Sequence, residues 1–154
     1  GEEYPEIEIQ ERLVDAMSAK MLDPEFNKRI EVIVLPNLYG DIVTDVAAEH
    51  QGGLGTASSS NLGNKYAMFE AIHGTAPFLI DHNRGDYADP CSLIRAVGML
   101  MAHIGYADRK QILDQALDIC TITERRLVVT TDRDGASAAE FTDYLLETID
   151  GLKK

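Results

Sequence analysis

The chain has 154 residues, of which 45% are hydrophobic and 26% charged, and its formal net charge at pH 7 is −12. A chain of this length can bury one hydrophobic core, and its acidity argues against a nucleic-acid backbone or an anionic membrane as a partner. No apolar run reaches the roughly 18 residues that a membrane-spanning helix needs.

The two cysteines, Cys91 and Cys120, lie far apart and in no paired spacing. This pattern is more typical of reduced, buried thiols in a cytoplasmic protein than of a disulfide. The first five residues, GEEYP, contain neither an initiator methionine nor a targeting signal. We expect residues 1–154 to form a single domain of a cytoplasmic protein.

Hydrophobic spacing in the first part of the chain predicts a strand, a helix and a second strand. Residues 6–10 alternate acidic and apolar side chains, which is typical of a short strand. Residues 11–22 carry apolar side chains at helical spacing. Residues 30–35 are almost continuously apolar, as in a buried parallel strand, and Pro36 ends the run.

Residues 41–50 predict a helix that carries two acids near its start. Asp41 and Asp45 are four residues apart, so both carboxylates share one helix face and could offer oxygen ligands to a divalent cation. The simpler alternative is a helix start with two solvated acids, since acids are common there. The predicted inward-facing positions are Ile42, Val46 and Ala47.

The remaining chain predicts strands and helices in alternation, which indicates an α/β fold with a mainly parallel sheet flanked by helices. Residues 52–63 are rich in Gly and Ser and have no period, which favours a functional loop. The other predictions are a strand at 67–72, irregular structure at 73–87, a helix at 92–104, a helix at 108–124 capped by Asp108, a short strand at 127–129 and a helix at 138–149.

Four motifs follow one another in a characteristic order: LVDAM at 13–17, NLYGDIVTD at 37–45, GGLG at 52–55 and FEAIHGTAP at 69–77. Each alone is a weak signal. Together they resemble the β-decarboxylating dehydrogenases, the family of isocitrate and 3-isopropylmalate dehydrogenases. The resemblance runs from near Tyr4 to near Ile149. It implies the fold of that family and the C-terminal portion of a longer dehydrogenase.

The resemblance implies a site for Mg²⁺ or Mn²⁺. The positions of Asp41 and Asp45 match metal ligands of the family, and the position of Asp15 matches a carboxylate that the neighbouring protomer supplies. Mg²⁺ uses few protein carboxylates and leaves coordination places for substrate and water, which suits this set. The implied assembly is a homodimer in which Asp15 acts in trans. Without the resemblance, Asp15 would be read equally well as a surface acid of an amphipathic helix.

The resemblance also implies that the HGTAP loop binds the adenosine half of NAD or NADP. His73 can stack on adenine or bond to it, Gly74 allows close backbone approach, and Thr75 and Ala76 are small. GGLG is not the G-x-G-x-x-G fingerprint, as expected for a family without a Rossmann site. The implied cofactor-binding residues are Glu70, on the nicotinamide side, with His73, Gly74, Thr75, Ala76 and Asp89.

Two departures from the family pattern bear on the nucleotide. Asp89 stands where many members carry an Asn that contacts adenine, and Asp has no amide donor. Phe78 and Leu79 replace the Lys-Tyr that follows the loop in NADP-dependent bacterial enzymes, so NAD is favoured over NADP. Cations that could still meet a 2′-phosphate are His82, Arg84, Arg126 and Arg133.

The implied reaction is the NAD(P)-dependent, metal-assisted oxidative decarboxylation of isocitrate to 2-oxoglutarate, a tricarboxylic acid cycle step. Thr75, where isopropylmalate enzymes usually carry Ser, favours isocitrate. The family's catalytic Tyr and Lys and its substrate arginines are expected upstream of Gly1, so no catalytic residue is assigned. The alternatives are a 3-isopropylmalate, homoisocitrate or tartrate dehydrogenase, a non-catalytic regulatory subunit, and a divalent-ion module without a dinucleotide role.

Overall fold

The computed structural model describes residues 3–153, except for the side chains of Gln51 and Leu54. Its helices are α1 (Val14–Lys20), α2 (Pro24–Asn27), α3 (Asn37–Gln51), α4 (Pro77–Asp81), α5 (Cys91–His103), α6 (Ala107–Asp118) and α7 (Ala138–Leu152). Its strands are β1 (Ser58–Leu62) and β2 (Ala67–Ala71). Two compact units result, unit 1 (Gly1–Ala47) and unit 2 (Ala48–Lys154). Whether they fold as a single domain stays a prediction. No described helix is both long and apolar enough to cross a membrane.

Unit 1 is organised around a small core of three buried side chains. Met17 of α1, Met21 just after it and Val43 of α3 are each less than a tenth exposed. Partly buried apolar side chains that pack against this core are Val14, Phe26, Ile30, Leu35 and Ala47. Most other apolar side chains of unit 1 remain exposed, so this unit buries little apolar surface by itself.

The short helix α2 begins at a side-chain cap. Oδ1 of Asp23 accepts hydrogen bonds from the backbone N–H groups of Glu25, at 3.0 Å, and Phe26, at 3.3 Å. The N–H of Phe26 contributes most to lowering the pKa of the Asp23 carboxyl below its ordinary value. Pro24 occupies the first turn, where a missing N–H costs nothing.

The two strands predicted in unit 1 are wrong. Residues 6–10 and 30–35 form neither a helix nor a strand. Val32 and Val34 are 79% and 89% exposed. A strand needs a hydrogen-bonded neighbour, and within residues 3–153 these segments pair with none, so their apolar character does not turn into a ladder.

The helices of unit 1 are confirmed with different bounds. Helix α1 is shorter than the predicted 11–22, and α3 starts four residues before Asp41 because the carbonyl of Pro36 accepts the N–H of Gly40 at 2.8 Å. Asp41 therefore lies in the second turn, and the predicted position at the helix start is wrong. Of the predicted inward positions, Ala47 is confirmed, since it packs against the core of unit 1. Ile42 and Val46 are wrong, because they are 58% and 41% exposed, and Val43 is buried in their place.

Unit 2 has a larger core, formed where α5, α6 and α7 pack together. Its buried members are Cys91, Ala116, Leu117, Cys120, Phe141, Tyr144 and Leu145. Both cysteines are reduced and buried, as predicted. Burial, assisted by the neighbouring Asp89 carboxylate, raises the pKa of the Cys91 thiol far above its ordinary value, so this sulfur behaves as an apolar side chain.

The sheet of unit 2 is a two-stranded hairpin. Strands β1 and β2 pair antiparallel, from Ser58 opposite Ala71 to Leu62 opposite Ala67. The prediction of strand 67–72 is confirmed, but β1 lies inside the predicted loop 52–63. Its Ser-rich sequence shows no periodicity because its stability comes from pairing with β2. The α/β class is confirmed, although the ladder found in residues 3–153 is antiparallel and not parallel.

The C-terminal helices follow the sequence closely. The predictions 92–104 and 138–149 correspond to α5 and α7. Helix α6 ends at Asp118 and continues as a π-helical turn, Ile119–Thr123. Tyr106, not Asp108, occupies its cap position, and the acid lies in the first turn, which also favours negative charge.

Two further predictions in unit 2 are wrong. Residues 73–87 are not wholly irregular, because they include α4 and a 3₁₀ turn at Gly85–Tyr87. Residues 127–129 do not form a strand. A single carbonyl, that of Val128, accepts the N–H of Ala136 at 2.9 Å, while Leu127 and Val129 pack on the core.

Candidate functional site

Helix α3 presents Asp41 and Asp45 to solvent, one turn apart. Both side chains are exposed, and within residues 3–153 neither carboxylate accepts a hydrogen bond or forms an ion pair. Between them, the hydroxyl of Thr44 donates to the Gly40 carbonyl at 2.7 Å and is thereby held against the helix backbone. Two unpaired carboxylates on one face provide hard oxygen ligands, the kind that Mg²⁺ and Mn²⁺ prefer.

Asp15 lies in the first turn of α1, also exposed, and its Oδ1 accepts the N–H of Ala16 at 2.7 Å. Over the described residues, no group of three or more His, Cys, Asp or Glu side chains is placed to hold a metal ion. One copy of the chain therefore offers the pair Asp41 and Asp45 as a partial set of ligands. Further ligands have to come from water, a substrate or a second copy.

The loop that carries the HGTAP motif is anchored where β2 ends. The N–H of Ile72 donates to Oγ of Ser92 at 3.2 Å, and the Ser92 hydroxyl in turn donates to the carbonyl of Ala57. Ser92 is fully buried in the first turn of α5. Ser92 is not among the residues that the sequence motifs indicate. A small hydroxyl side chain directly after Asp-Pro-Cys at a helix start was the available signal.

Beyond Ile72 the loop turns outward. His73 is exposed, and its Nδ1–H donates to the Gly74 carbonyl at 2.9 Å, which leaves Nε2 as an acceptor. A Cβ placed on Gly74 would meet no atom within 4 Å. Thr75 is also exposed. The space next to the backbone at Gly74 is thus open, and nothing in the described structure prevents a ligand from approaching it closely.

Ala76 has a left-handed backbone conformation, with φ 47° and ψ 58°. Such a conformation costs a non-glycine residue on the order of 1 kcal/mol. It re-aims the chain so that Pro77 can begin α4, and the carbonyl of Ala76 then accepts the N–H of Leu79 at 3.0 Å. Strain of this kind is concentrated at ligand-binding turns, which makes residues 73–77 a candidate binding loop.

Glu70 and Asp89 have protein partners. Glu70, on the exposed face of β2, accepts a hydrogen bond from the Asn61 amide at 2.8 Å. Oδ1 of Asp89 accepts the N–H of Cys91 at 2.8 Å and so supports the start of α5. A Cβ added to Gly55 would lie 2.8 Å from that of Asp89, so the last glycine of GGLG is needed for this close approach.

The four cations considered near the loop have different surroundings. Nδ1–H of His82 donates to the Phe78 carbonyl at 2.8 Å, and the guanidinium of Arg84 lies 5.7 Å from the Phe78 ring. Arg126 instead pairs with Glu147 at 2.6 Å. Arg133 donates to the Asn83 carbonyl at 3.4 Å. A cation does stand beside Phe78, which the sequence alone did not place there.

Residues 1–149 match the sequence profile described as isocitrate/isopropylmalate dehydrogenase. A mitochondrial regulatory subunit of the NAD-type isocitrate dehydrogenase from Dictyostelium discoideum is 41% identical over 95% of this chain, which covers 40% of that protein. The NADP-type isocitrate dehydrogenase of Rickettsia felis is 43% identical over 75% of this chain, which covers 23% of that protein.

A solved structure, isocitrate dehydrogenase from Methylococcus capsulatus, superposes with a TM-score of 0.87 and 35% sequence identity. The superposition covers 96% of this chain and 42% of the solved one. The chain thus spans less than half the length of these relatives, and its fold matches that of the corresponding part of an isocitrate dehydrogenase.

Proposed function

Because the chain belongs to the isocitrate/isopropylmalate dehydrogenase family, we propose that it is part of an NAD(P)-dependent isocitrate dehydrogenase. The reaction is oxidation of the 2-hydroxy acid by nicotinamide, followed by loss of CO₂ to give 2-oxoglutarate. The observation that supports this most directly is the unpartnered pair Asp41 and Asp45 within NLYGDIVTD. The relatives include both isocitrate and 3-isopropylmalate dehydrogenases, and the proposal of isocitrate is supported by the isocitrate enzymes and by Thr75.

In this proposal Asp41 and Asp45 hold Mg²⁺ or Mn²⁺, with Asp15 supplied by a second copy. A bound divalent metal supplies Lewis-acid stabilisation of the negative charge that develops on the substrate oxygens. The two carboxylates are suited to this task because neither is already paired within the described chain. The role of the helix is positional, since it fixes both acids on one face.

The second half of the proposed site is the loop 73–77, which receives the adenosine half of the nucleotide. His73 offers a ring face and the Nε2 acceptor, Gly74 and Thr75 border open space, and Ala76 sets the direction of the loop. Glu70 is proposed on the nicotinamide side, and Asp89 near the adenine. We also propose that the enzyme prefers NAD to NADP and is located in the cytoplasm. Groups that transfer protons and bind the substrate carboxylates are proposed to lie outside these 154 residues.

The proposed assembly is a homodimer through α1 and α3. Leu38, Ile42 and Val46, spaced four residues apart on α3, are 67%, 58% and 41% exposed. Such a stripe beside Asp41 and Asp45 suits an interface, and a second copy seated on it would bring its own Asp15 towards the acid pair. A chain that remains monomeric at tens of micromolar in light scattering would contradict this arrangement.

Asp41→Asn in the intact enzyme tests the metal site. We expect weaker Mn²⁺ binding and loss of turnover, because the variant removes one charge and one ligand. Glu49→Gln is the matched control, since Glu49 is another exposed acid of α3. Unchanged Mn²⁺ affinity and rate for Asp41→Asn would refute the assignment. The 154-residue chain alone should show no isocitrate-dependent NADH production.

A regulatory subunit is the second candidate, because a relative with that description is 41% identical over 95% of the chain. Retention of Asp15, Asp41 and Asp45 favours the catalytic role, since regulatory subunits tend to lose metal carboxylates. An intact protein that is inactive alone yet alters the rate of a catalytic partner would establish the regulatory role. Measuring the rate of the intact enzyme with isocitrate, 3-isopropylmalate, homoisocitrate and tartrate identifies which of these 2-hydroxy acids is the substrate.

A further inference from the structure

Two segments far apart in the sequence clasp each other beside Phe78. Nε of Arg84 donates to the Thr131 carbonyl at 2.9 Å, and a terminal nitrogen of the same guanidinium donates to it as well. That guanidinium also forms an ion pair with Oδ2 of Asp132 at 3.3 Å. In return, Arg133 donates to the carbonyl of Asn83 at 3.4 Å. The clasp therefore connects residues 83–84 to residues 131–133.

The turn that supplies Asp132 is tightly constructed. Thr131 and Asn83 both have left-handed backbone conformations, with φ of 61° and 53°. The hydroxyl of Thr130 donates to Asp134 at 2.7 Å, and a Cβ on Gly135 would come within 2.4 Å of that hydroxyl oxygen. A turn closed this tightly holds the carboxylate of Asp132 in a defined place.

Within the clasp, Arg84 and Asp132 form a pair of opposite charges, while Arg133 is bonded to the neutral Asn83 carbonyl. The Arg84 side chain is 20% exposed and the Asp132 side chain 56%, so the acid is the outer member of the pair. A guanidinium that already contacts a carboxylate and a carbonyl presents little net positive charge to an incoming anion. The clasp lies next to Phe78, the residue that follows the proposed nucleotide loop directly in sequence and in α4.

We propose that Asp132 determines the nucleotide preference of this site by neutralising Arg84. This inference rests on the proposed function of the loop 73–77. NADP differs from NAD by a 2′-phosphate, and arginine is the side chain best suited to bind it. With Asp132 in place, a 2′-phosphate that approaches Arg84 meets the Asp132 carboxylate at the guanidinium, and NAD is preferred. Without that carboxylate, the same Arg84 becomes a phosphate ligand.

The test is calorimetric titration of NAD⁺ and NADP⁺ into the intact protein and its variants. Asp132→Asn should raise the NADP⁺-to-NAD⁺ affinity ratio about tenfold. Asp132→Glu keeps the charge and should retain the wild-type ratio. The double variant Asp132→Asn with Arg84→Gln should lose the gain, because the gain requires the guanidinium. Asp143→Asn, which removes an exposed, unpaired acid of α7, controls for net charge and should leave the ratio unchanged.

The outcomes separate the inference from the function on which it rests. If wild type binds NAD⁺ and Asp132→Asn changes both affinities equally, the clasp only stabilises the fold and the inference is overturned. If the control Asp143→Asn reproduces the gain, overall charge and not Arg84 is responsible, which also overturns it. If neither nucleotide binds to wild type or to any variant, the proposed function fails and the inference with it. Circular dichroism of each variant confirms that the comparison is made between folded proteins.

Discussion

The two units of the chain differ in how far each buries its own apolar surface. Unit 1 surrounds three buried side chains, while Leu13, Val34 and Leu38 remain more than 60% exposed. The main core cluster of unit 2, where α5, α6 and α7 pack together, contains seven buried side chains. Burial of apolar area is the main source of folding free energy, so we expect unit 2 to be the more stable of the two by itself and unit 1 to gain stability from the proposed partner.

This difference coincides with a division of the proposed chemistry. The acid pair lies on unit 1, on a helix with an exposed apolar stripe, and the nucleotide loop lies on unit 2 beside a well-packed core. A metal site that needs a second copy is suited to a surface that a second copy covers. A nucleotide loop with a strained turn at Ala76 needs a rigid support that holds it without help.

The largest expected effect follows from opening the core of unit 2. Phe141 is 2% exposed, and Phe141→Ala should reduce the free energy of unfolding by about 3–5 kcal/mol, because it loses apolar burial and leaves a cavity. Urea denaturation followed by circular dichroism measures the change. A loss below about 1 kcal/mol would mean that the core of unit 2 does not carry the stability assigned to it.

A charge on the apolar stripe of α3 should separate the proposed dimer. Ile42→Glu places an unpaired carboxylate in the interface, which should weaken association by about 2 kcal/mol, or roughly 30-fold in the dissociation constant. Analytical ultracentrifugation measures the constant. Phe78→Glu, on an exposed apolar residue of unit 2, is the control. Equal dimer affinity for wild type and Ile42→Glu would place the interface elsewhere.

Truncation in the core of unit 1 should cost less than truncation in unit 2. Val43 is 3% exposed, and Val43→Ala removes two methyl groups, which should lower stability by about 1–2 kcal/mol. The exposed Val46→Ala is the matched control on the same helix and should change stability by less than about 0.5 kcal/mol. A cost for Val43→Ala as large as that of Phe141→Ala would remove the contrast between the units.

The smallest effects concern a helix cap in each unit. The backbone N–H of Ser137, and to a smaller extent its hydroxyl, donate hydrogen bonds that lower the pKa of the Glu140 carboxyl. In the same way, the backbone N–H of Phe26 lowers the pKa of the Asp23 carboxyl. A carboxyl group whose pKa is lower in the folded than in the unfolded protein stabilises the fold at pH values above the unfolded pKa. This stabilisation is lost as the pH falls through the folded pKa. Melting temperature should therefore decline as pH drops below the ordinary Glu value of 4.5.

Ser137→Ala sharpens this comparison, because it removes the hydroxyl that completes the capping box of α7. It should cost about 1 kcal/mol at neutral pH and make the decline with acid shallower. Thermal melts of wild type and Ser137→Ala at pH 7 and pH 3 measure both. A melting temperature of the variant that falls more steeply with acid than that of wild type would contradict the assignment.

Local sequence patterns predicted the elements that carry their own signals. Helix α7 was expected at 138–149, and the structure adds the capping box of Ser137 with Glu140 at its start. Strand β2 was expected at 67–72, and the structure shows that its side chains alternate between partly buried and exposed. The helix is stabilised by contacts close in sequence, and β2 has its partner strand only a few residues away, which is why both predictions hold.

Elements that depend on distant partners could not be predicted in this way. The apolar run 30–35 predicts a strand, but the pattern of apolar residues does not reveal whether a neighbouring strand is present to pair with it. The start of α3 was placed late because the acids at Asp41 and Asp45 suggested a helix start more strongly than Pro36 did. Arg84 reaches a carbonyl 47 residues away, and such a contact leaves no local trace.

The proposed metal-binding and nucleotide-binding residues are identified by four sequence motifs in a characteristic order. Motifs identify these positions in the chain but do not predict the contacts that each side chain makes. The structure adds that Asp41 and Asp45 have no partner in residues 3–153, that Asp89 already supports α5, and that Ser92 anchors the loop. These are contacts across the fold, so they follow from packing and not from spacing along the chain.

Nuclear magnetic resonance of the ¹⁵N-labelled chain, titrated with NAD⁺ and then with substoichiometric Mn²⁺, tests the division between the units most directly. The account predicts NAD⁺ shifts concentrated on the amides of residues 70–78. It predicts Mn²⁺ broadening centred on Asp41 and Asp45, because two carboxylates one turn apart bind the ion better than single acids. Broadening spread evenly over the acidic surface, or centred on the turn with Asp132 and Asp134, would contradict the metal site. NAD⁺ shifts that avoid residues 70–78 would contradict the nucleotide loop.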